Sequence, residues 1–140
     1  MVKVTGASRQ VYCHLHLPLR PAPVCNIWQE ARQLGGDIYA DFGRNTPAER
    51  AYGFRAQIQT AGISIMNNMA EGFERTSDAE KARFLDIAKG SCGEVRSMYY
   101  VAQDVGDMSN TVALQRREKA IKISKGIAAL TSRFRKEPGL

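Results

Sequence analysis

Histidine is scarce in this sequence, and its scarcity excludes several kinds of catalytic site. The chain has 140 residues and two histidines, His14 and His16, which both precede the part with a helical pattern. A di-iron centre in a helical bundle needs glutamate and histidine side chains on facing helices, and a serine or cysteine nucleophile usually needs a histidine base. The sequence also lacks a glycine-rich phosphate loop followed by lysine. We therefore predict a protein that is not an enzyme and has no cofactor.

Cysteine is also rare, and its spacing does not indicate a disulfide framework. Cys13, Cys25 and Cys92 are odd in number and widely separated. The run from Cys13 to His16, taken with Cys25, lacks the second pair of ligands that would complete a zinc site. We therefore expect no bound metal, and we interpret Cys92 as a small buried apolar side chain.

Long apolar runs are missing as well. No stretch approaches the roughly 18 residues that a membrane-spanning helix requires, and the N-terminus has no compact apolar core followed by a cleavage site. We therefore predict a cytoplasmic protein that does not enter a membrane. The chain is 44% hydrophobic and 24% charged, which is typical of a globular domain.

The first 24 residues differ from the rest of the chain. They contain Pro18, Pro21 and Pro23 and no acidic residue. Such a composition favours an extended or disordered arm. We therefore divide the chain into an arm over residues 1–24, a domain over residues 25–136 and a C-terminal tail over residues 137–140.

Apolar residues then recur at three- and four-residue spacing in four segments, which predicts four amphipathic helices. The apolar stripes are, in chain order, Trp28, Ala31, Ile38 and Phe42; Phe54, Ile58, Ala61, Ile65 and Met69; Phe84, Ala88, Cys92, Val95, Tyr99 and Ala102; and Ala120, Ile123, Ile127, Leu130 and Phe134. The predicted limits are Asn26 to Phe42, Ala48 to residues 72–76, Ser77 to Gly106, and Ser109 or Asn110 to Pro138.

Two local signals support these limits. The run Ser77-Asp78-Ala79-Glu80 is a capping box, in which a serine oxygen and a glutamate satisfy free backbone N–H groups at a helix start. Gly106 stands where a helix-terminating glycine is expected. Because the connections are short and no alternating strand pattern follows residue 25, we predict an all-α fold, an antiparallel up-down-up-down four-helix bundle.

Positive charge is concentrated at the C-terminal end. Residues 110–140 contain eight basic and two acidic residues, so this segment carries as much net charge, +6, as the whole chain. Glu118 is the only acidic residue between Asn110 and Lys136. We predict that this face of the fourth helix contacts nucleic-acid phosphates through Arg116, Arg117, Lys119, Lys122, Lys125, Arg133, Arg135 and Lys136.

A solvated outer face is the alternative interpretation of these residues, because lysine-rich helix surfaces are common. Aromatic residues are scarce in this segment. If the face binds RNA or DNA, we therefore expect attraction to the phosphate backbone rather than base stacking.

Three segments resemble the 23S rRNA intervening-sequence protein family. The segment Ile27-Trp28-Gln29-Glu30-Ala31-Arg32-Gln33-Leu34 is similar to the family's Val-Trp-Gln-Lys-Ala-Arg-x-Leu opening. The most specific match is Asn68-Met69-Ala70-Glu71-Gly72-Phe73, which resembles Asn-Ile-Ala-Glu-Gly-Tyr/Phe. Phe84-Leu85 through Gly90-Ser91 resembles the family's third helix, whereas Met66 and Asn67 stand where the family usually has Pro-Ser.

The resemblance implies a four-helix bundle that assembles as a homopentamer without established enzymatic activity. A related branch, also similar, serves as the accessory protein of diversity-generating retroelements and binds nucleic acid and a reverse transcriptase. By this resemblance Trp28, Asn68, Ala70, Glu71 and Gly72 are signature residues. We expect structural roles for them, with Ala70 and Gly72 permitting close helix approach and Glu71 pairing near the turn.

Three hypotheses about function follow. The first is a nucleic-acid-associated binding or scaffold protein, which binds RNA or DNA through phosphates and forms a homo-oligomer. The second is a protein-interaction module, such as a reverse-transcriptase accessory protein. The third is an oligomeric scaffold without a nucleic-acid role, for which charge reversal on the fourth helix would change nothing except solubility.

Overall fold

The computed structural model describes residues 22–135, which form four α-helices and no strand. The helices are α1 (Ala22–Asp41), α2 (Tyr52–Glu74), α3 (Asp78–Asp104) and α4 (Asn110–Phe134). The predicted all-α class is confirmed. Residues 1–21 of the predicted arm, with Cys13, His14 and His16, lie outside the described residues, as do Lys136 and the predicted tail.

The helices pack as an antiparallel ring in which each contacts the next along the chain and α1 contacts α4. Ion pairs and hydrogen bonds fix the directions. Asp86 near the start of α3 pairs with Arg135 just beyond α4, while Gln103 at the end of α3 bonds to Arg117 near the start of α4. These contacts require α3 and α4 to run in opposite directions. The arrangement agrees with the predicted up-down bundle.

The core consists of the predicted apolar stripes. Most of their members are buried, and Leu34 and Leu85 join them; Phe54, Phe84 and Phe134 are only partly buried. Phe42 joins three helices at one end of the core, because its ring centroid lies 5.4 Å from those of both Phe54 and Tyr99. Three-four spacing was therefore sufficient to identify the buried face of every helix.

The helix ends follow local chemistry. Ser77 Oγ accepts a hydrogen bond from Glu80 N and Ser109 Oγ accepts one from Val112 N, both at 3.2 Å, so the predicted starts of α3 and α4 are confirmed. Gly106 follows Val105, the C-cap residue of α3, and has a φ of 81°, which is unfavourable for other residues.

Two predicted helix starts are wrong. The first helix begins at Ala22 rather than Asn26 and includes Pro23, which a first helical turn tolerates because its missing N–H has no partner there. The second begins at Tyr52 rather than Ala48. Residues 43–51 form a turn instead, in which Thr46 Oγ1 donates to the carbonyl oxygen of Gly43 at 2.7 Å.

None of the four helices between residues 22 and 135 combines the length and the apolar character needed to cross a bilayer.

Burial controls the chemistry of Cys92. The side chain is fully buried, and burial raises the pKa of its thiol to about 12. In a Cys13→Ser/Cys25→Ser background, we therefore expect the native protein to react with a thiol reagent at pH 8 at least a hundred-fold more slowly than the unfolded protein, because the thiolate is the reactive form. Timed labelling in buffer and in denaturant checks this. Equal rates would contradict the placement of Cys92 in the core.

Candidate nucleic-acid interface

The predicted phosphate-binding residues do not form one unpaired basic face. Three cations of α4 pair instead with acidic residues of α1. Arg116 Nε lies 2.7 Å from Asp41 Oδ2, Lys119 Nζ lies 3.1 Å from Asp37 Oδ2, and Lys122 Nζ lies 2.7 Å from Glu30 Oε1. We call these six residues the α1–α4 ion-pair ladder.

One end of the ladder is anchored in the core by Tyr99. The Tyr99 hydroxyl donates to Asp41 Oδ2 at 2.7 Å, and Arg116 Nη2 donates to Asp41 Oδ1 at 3.1 Å. Burial, and then the bond to Asp41, raises the pKa of Tyr99 well above its ordinary value. The bond to Asp41 likewise raises the pKa of Arg116, which therefore keeps its charge. This triad links α1, α3 and α4.

Two further predicted residues bind α3. Arg117 is 8% exposed, donates to Gln103 Oε1 at 2.7 Å and lies 4.0 Å from the centroid of the Tyr100 ring. Arg135 forms an ion pair with Asp86. These contacts hold α3 against α4, and a role of Arg117 and Arg135 in phosphate binding stays a prediction.

Lys125 and Arg133 are the predicted residues that remain exposed and have no ion-pair partner within residues 22–135. The Gln103–Arg117 and Asp86–Arg135 contacts set the register of α3 against α4 and place Arg96 level with Lys125. Arg96 is partly exposed, and its buried Nε has no hydrogen-bond partner in the described chain. The available positive charge is therefore smaller than the sequence indicates.

Sequence reasoning missed the acidic half of the ladder. Glu30, Asp37 and Asp41 fall on one side of α1, at spacings of seven and four residues. Acidic residues at this spacing, on a helix that packs against a lysine-rich helix, could have indicated ion pairs between the two helices. Their partners stand 75 to 92 residues away along the chain, so counting acidic neighbours within α4 could not reveal them.

Two of the signature residues, Asn68 and Gly72, lie on α2 where it packs against α3 or bond to a residue that does. Asn68 Nδ2 donates to both the carbonyl oxygen and the Oγ of Ser64 at 2.8 Å, and Ser91 Oγ donates to Ser64 Oγ at 2.9 Å. Gly72 is buried where α2 meets α3, since a Cβ there would lie 3.0 Å from Phe84 Cβ. The Ser64–Ser91 bond and the close approach at Gly72 have the geometry of a helix interface.

The other three signature residues differ in burial. Glu71 is exposed and pairs with Arg75 at 2.5 Å beside the α2–α3 turn. Ala70 is partly buried. Trp28 is 6% exposed, and its Nε1 has no hydrogen-bond partner among the described residues.

A shallow groove of about 540 Å³ runs along the outer side of α2. Its lining residues are uncharged: Tyr39, Ala56, Gln59, Thr60, Ile63, Ser64, Asn67 and Asn68. A groove without a cation does not attract phosphate, so we do not assign nucleic-acid contacts to it.

Comparisons with known proteins agree with the fold. A crystal structure of a protein of unknown function from the S23 ribosomal protein family of Bacteroides thetaiotaomicron superposes with a TM-score of 0.73. It is 14% identical and covers 79% of this chain and 98% of its own, so the likeness shows the fold. No curated protein matches the chain significantly. The family model described as 23S rRNA-intervening sequence protein matches residues 24–129. The chain therefore belongs to the 23S rRNA-intervening sequence protein family.

Proposed function

We propose that this protein is a non-enzymatic nucleic-acid-binding or scaffold protein that works as a homo-oligomer. The observation that carries the proposal is the pair of exposed cations on α4, Lys125 and Arg133, which remain without acidic partners in the described chain after the ladder has formed. A net charge of +6 supports an anionic partner. With RNA or DNA as that partner, we propose that the protein acts in the cytoplasm.

Lys122 adds to this surface although it belongs to the ladder. Its side chain is 73% exposed, and ion pairs at that exposure are weak, so a phosphate can compete with Glu30 for it. Arg116 and Lys119 are 22% and 27% exposed and face several acceptors of α1. We therefore assign them to holding α1 in place.

Self-association is supported by apolar side chains on the outer surface of α3. Ile87, Val101 and Val105 are 42%, 46% and 64% exposed. Val101 and Val105 are four residues apart and lie on the same side of the C-terminal end of α3, and adjacent exposed apolar side chains can mark a surface that another protein covers. We propose that copies of this chain cover them, and the pentamer of the family is the expected assembly. Light scattering tests the mass.

Reversing the two free charges of α4 is expected to weaken binding to every nucleic-acid sequence alike. The slope of log affinity against log salt is negative, and each lost phosphate contact reduces its magnitude by about 0.7 for a single strand. Lys125→Glu/Arg133→Glu should therefore reduce that magnitude by at least about 1.4. Fluorescence anisotropy with labelled RNA and DNA at several salt concentrations measures the slope.

Arg83→Glu is the control, because it reverses the charge of an exposed arginine that lies on α3, outside the proposed α4 surface. We expect its slope to stay close to that of the wild type. An unchanged slope in the Lys125→Glu/Arg133→Glu variant would remove α4 from the proposed interface. Arg116→Glu is unsuitable for this test, because it would set a carboxylate against Asp37 and Asp41 and destabilise the fold.

A further inference from the structure

Two further exposed arginines, Arg44 and Arg50, lie in the turn between α1 and α2, far along the chain from α4. Arg44 and Arg50 are exposed, and neither forms a side-chain hydrogen bond or ion pair within the described residues. Glu49 is the only acidic residue from position 42 to position 70. We call Arg44, Arg50, Tyr52 and Arg55 the Arg–Tyr corner.

The one acidic residue of this corner is turned toward the loop backbone. Glu49 Oε2 accepts a hydrogen bond from Asn45 N at 3.3 Å, and Asn45 itself has a φ of 61°. Ala48 is 1% exposed and anchors the loop to the core. The turn therefore presents Arg44 and Arg50 from an ordered backbone, which lowers the entropy lost on binding.

Tyr52 supplies an exposed aromatic ring two residues after Arg50 along the chain. Its side chain is 70% exposed, the largest exposure among the large apolar side chains of the described range. The Arg55 guanidinium lies 5.6 Å from the ring centroid, and Arg55 Nη1 donates to the carbonyl oxygen of Glu49 at 2.6 Å. The ring thus has a fixed cation on one side while most of its surface faces solvent.

We propose that the Arg–Tyr corner binds single-stranded nucleic acid, with one unpaired base stacked on Tyr52 and the flanking phosphates on Arg44 and Arg50. The proposal rests on the proposed nucleic-acid function and deepens it. A base in a duplex is stacked on both faces, so only a single strand or a loop offers a free face to the ring. Neighbouring arginines match the phosphates on either side of that base.

The experiment compares a labelled single-stranded RNA, a single-stranded DNA of the same sequence and the matching DNA duplex in anisotropy titrations. Loss of one stacking contact is expected to weaken binding of Tyr52→Ala to the single strands by about 5- to 100-fold, while Tyr52→Phe stays within about twofold of the wild type. Arg44→Gln/Arg50→Gln should reduce the magnitude of the slope of log affinity against log salt by about 1.4 for single strands.

Tyr39→Ala is the matched control, because Tyr39 is 52% exposed but lines the uncharged groove on α2. We expect wild-type affinity from it. A preference between the RNA and the DNA strand identifies which of the two the corner favours, and either supports the proposal.

Three results would overturn the inference. Wild-type protein that binds none of the three probes overturns both this inference and the nucleic-acid-binding part of the proposed function. Wild-type protein that binds them while Tyr52→Ala binds equally well overturns the inference alone. A changed oligomeric mass of Tyr52→Ala in light scattering, with unchanged affinity for single strands, assigns the corner to an interface between protein chains.

Discussion

Replacing Asp41 by alanine is expected to destabilise the protein by about 2–4 kcal/mol, because the change leaves the buried Tyr99 hydroxyl and the Arg116 guanidinium without their acceptor. Asp41 has 11% side-chain exposure and joins three helices through these two bonds. Urea denaturation of the variant and the wild type measures the loss in the free energy of unfolding.

Glu30→Ala is the control for this experiment. It breaks the ladder pair with Lys122, whose side chain is 73% exposed, so we expect a loss of about 0–1 kcal/mol. The double variant Asp41→Ala/Tyr99→Phe should lose less than the sum of the two single changes, because the hydroxyl and carboxylate share one bond. Equal, small losses from Asp41→Ala and Glu30→Ala would contradict an anchored end of the ladder.

Replacing Gly72 by valine is expected to destabilise the protein by about 1–3 kcal/mol, because a β-branched side chain does not fit between α2 and α3. A Cβ at this position would already lie 3.0 Å from Phe84 Cβ and 3.3 Å from the carbonyl oxygen of Lys81. Both neighbours belong to the first half of α3, and one of them is backbone. Thermal and urea unfolding measure the change.

Gly36→Val provides the comparison, since nothing lies within 4 Å of a Cβ at Gly36 in the middle of α1. We expect its stability to stay within about 0.5 kcal/mol of the wild type or to rise, because valine has a higher helix propensity than glycine. If the two variants unfolded at the same urea concentration, the close approach of α2 and α3 at Gly72 would not be a packing constraint.

The fold could be predicted from the sequence because its determinants are local. Ser77 and Ser109 act within three residues, Gly106 ends α3 through its own φ, and the apolar stripes follow from helical geometry alone. The predicted start of α2 is too early because residues 43–51 form their backbone hydrogen bonds within a turn, in which Asn45 has a left-handed conformation.

The candidate site could be predicted only in part, because the net charge of a surface depends on residues from several helices, which the composition of one segment does not show. Arg116, Lys119 and Lys122 have few acidic neighbours along the chain, yet α1 brings three carboxylates to them in the fold. Lys125 and Arg133 stayed exposed. The Arg–Tyr corner was not identified, since two arginines in a turn do not stand out in a chain with 20 basic residues.

Much of the positive charge of α4 therefore has a structural use. The ladder fixes α1 against α4. The two helices also approach each other closely at Gly126 of α4, where a Cβ would lie 2.7 Å from Ile27 Cδ1 of α1. What remains for a partner is a smaller set of cations, which includes Lys125 and Arg133 on α4 together with Arg44 and Arg50 at the corner.

The salt dependence of nucleic-acid affinity tests the central claim most directly. Wild-type protein is titrated against a labelled single-stranded RNA at about 50 mM and about 200 mM salt, on a sample whose mass is known from light scattering. We predict binding by a closed oligomer whose affinity falls as salt rises. Absence of binding at the lower salt concentration would contradict the claim and would favour the protein-interaction role that the family resemblance also implies.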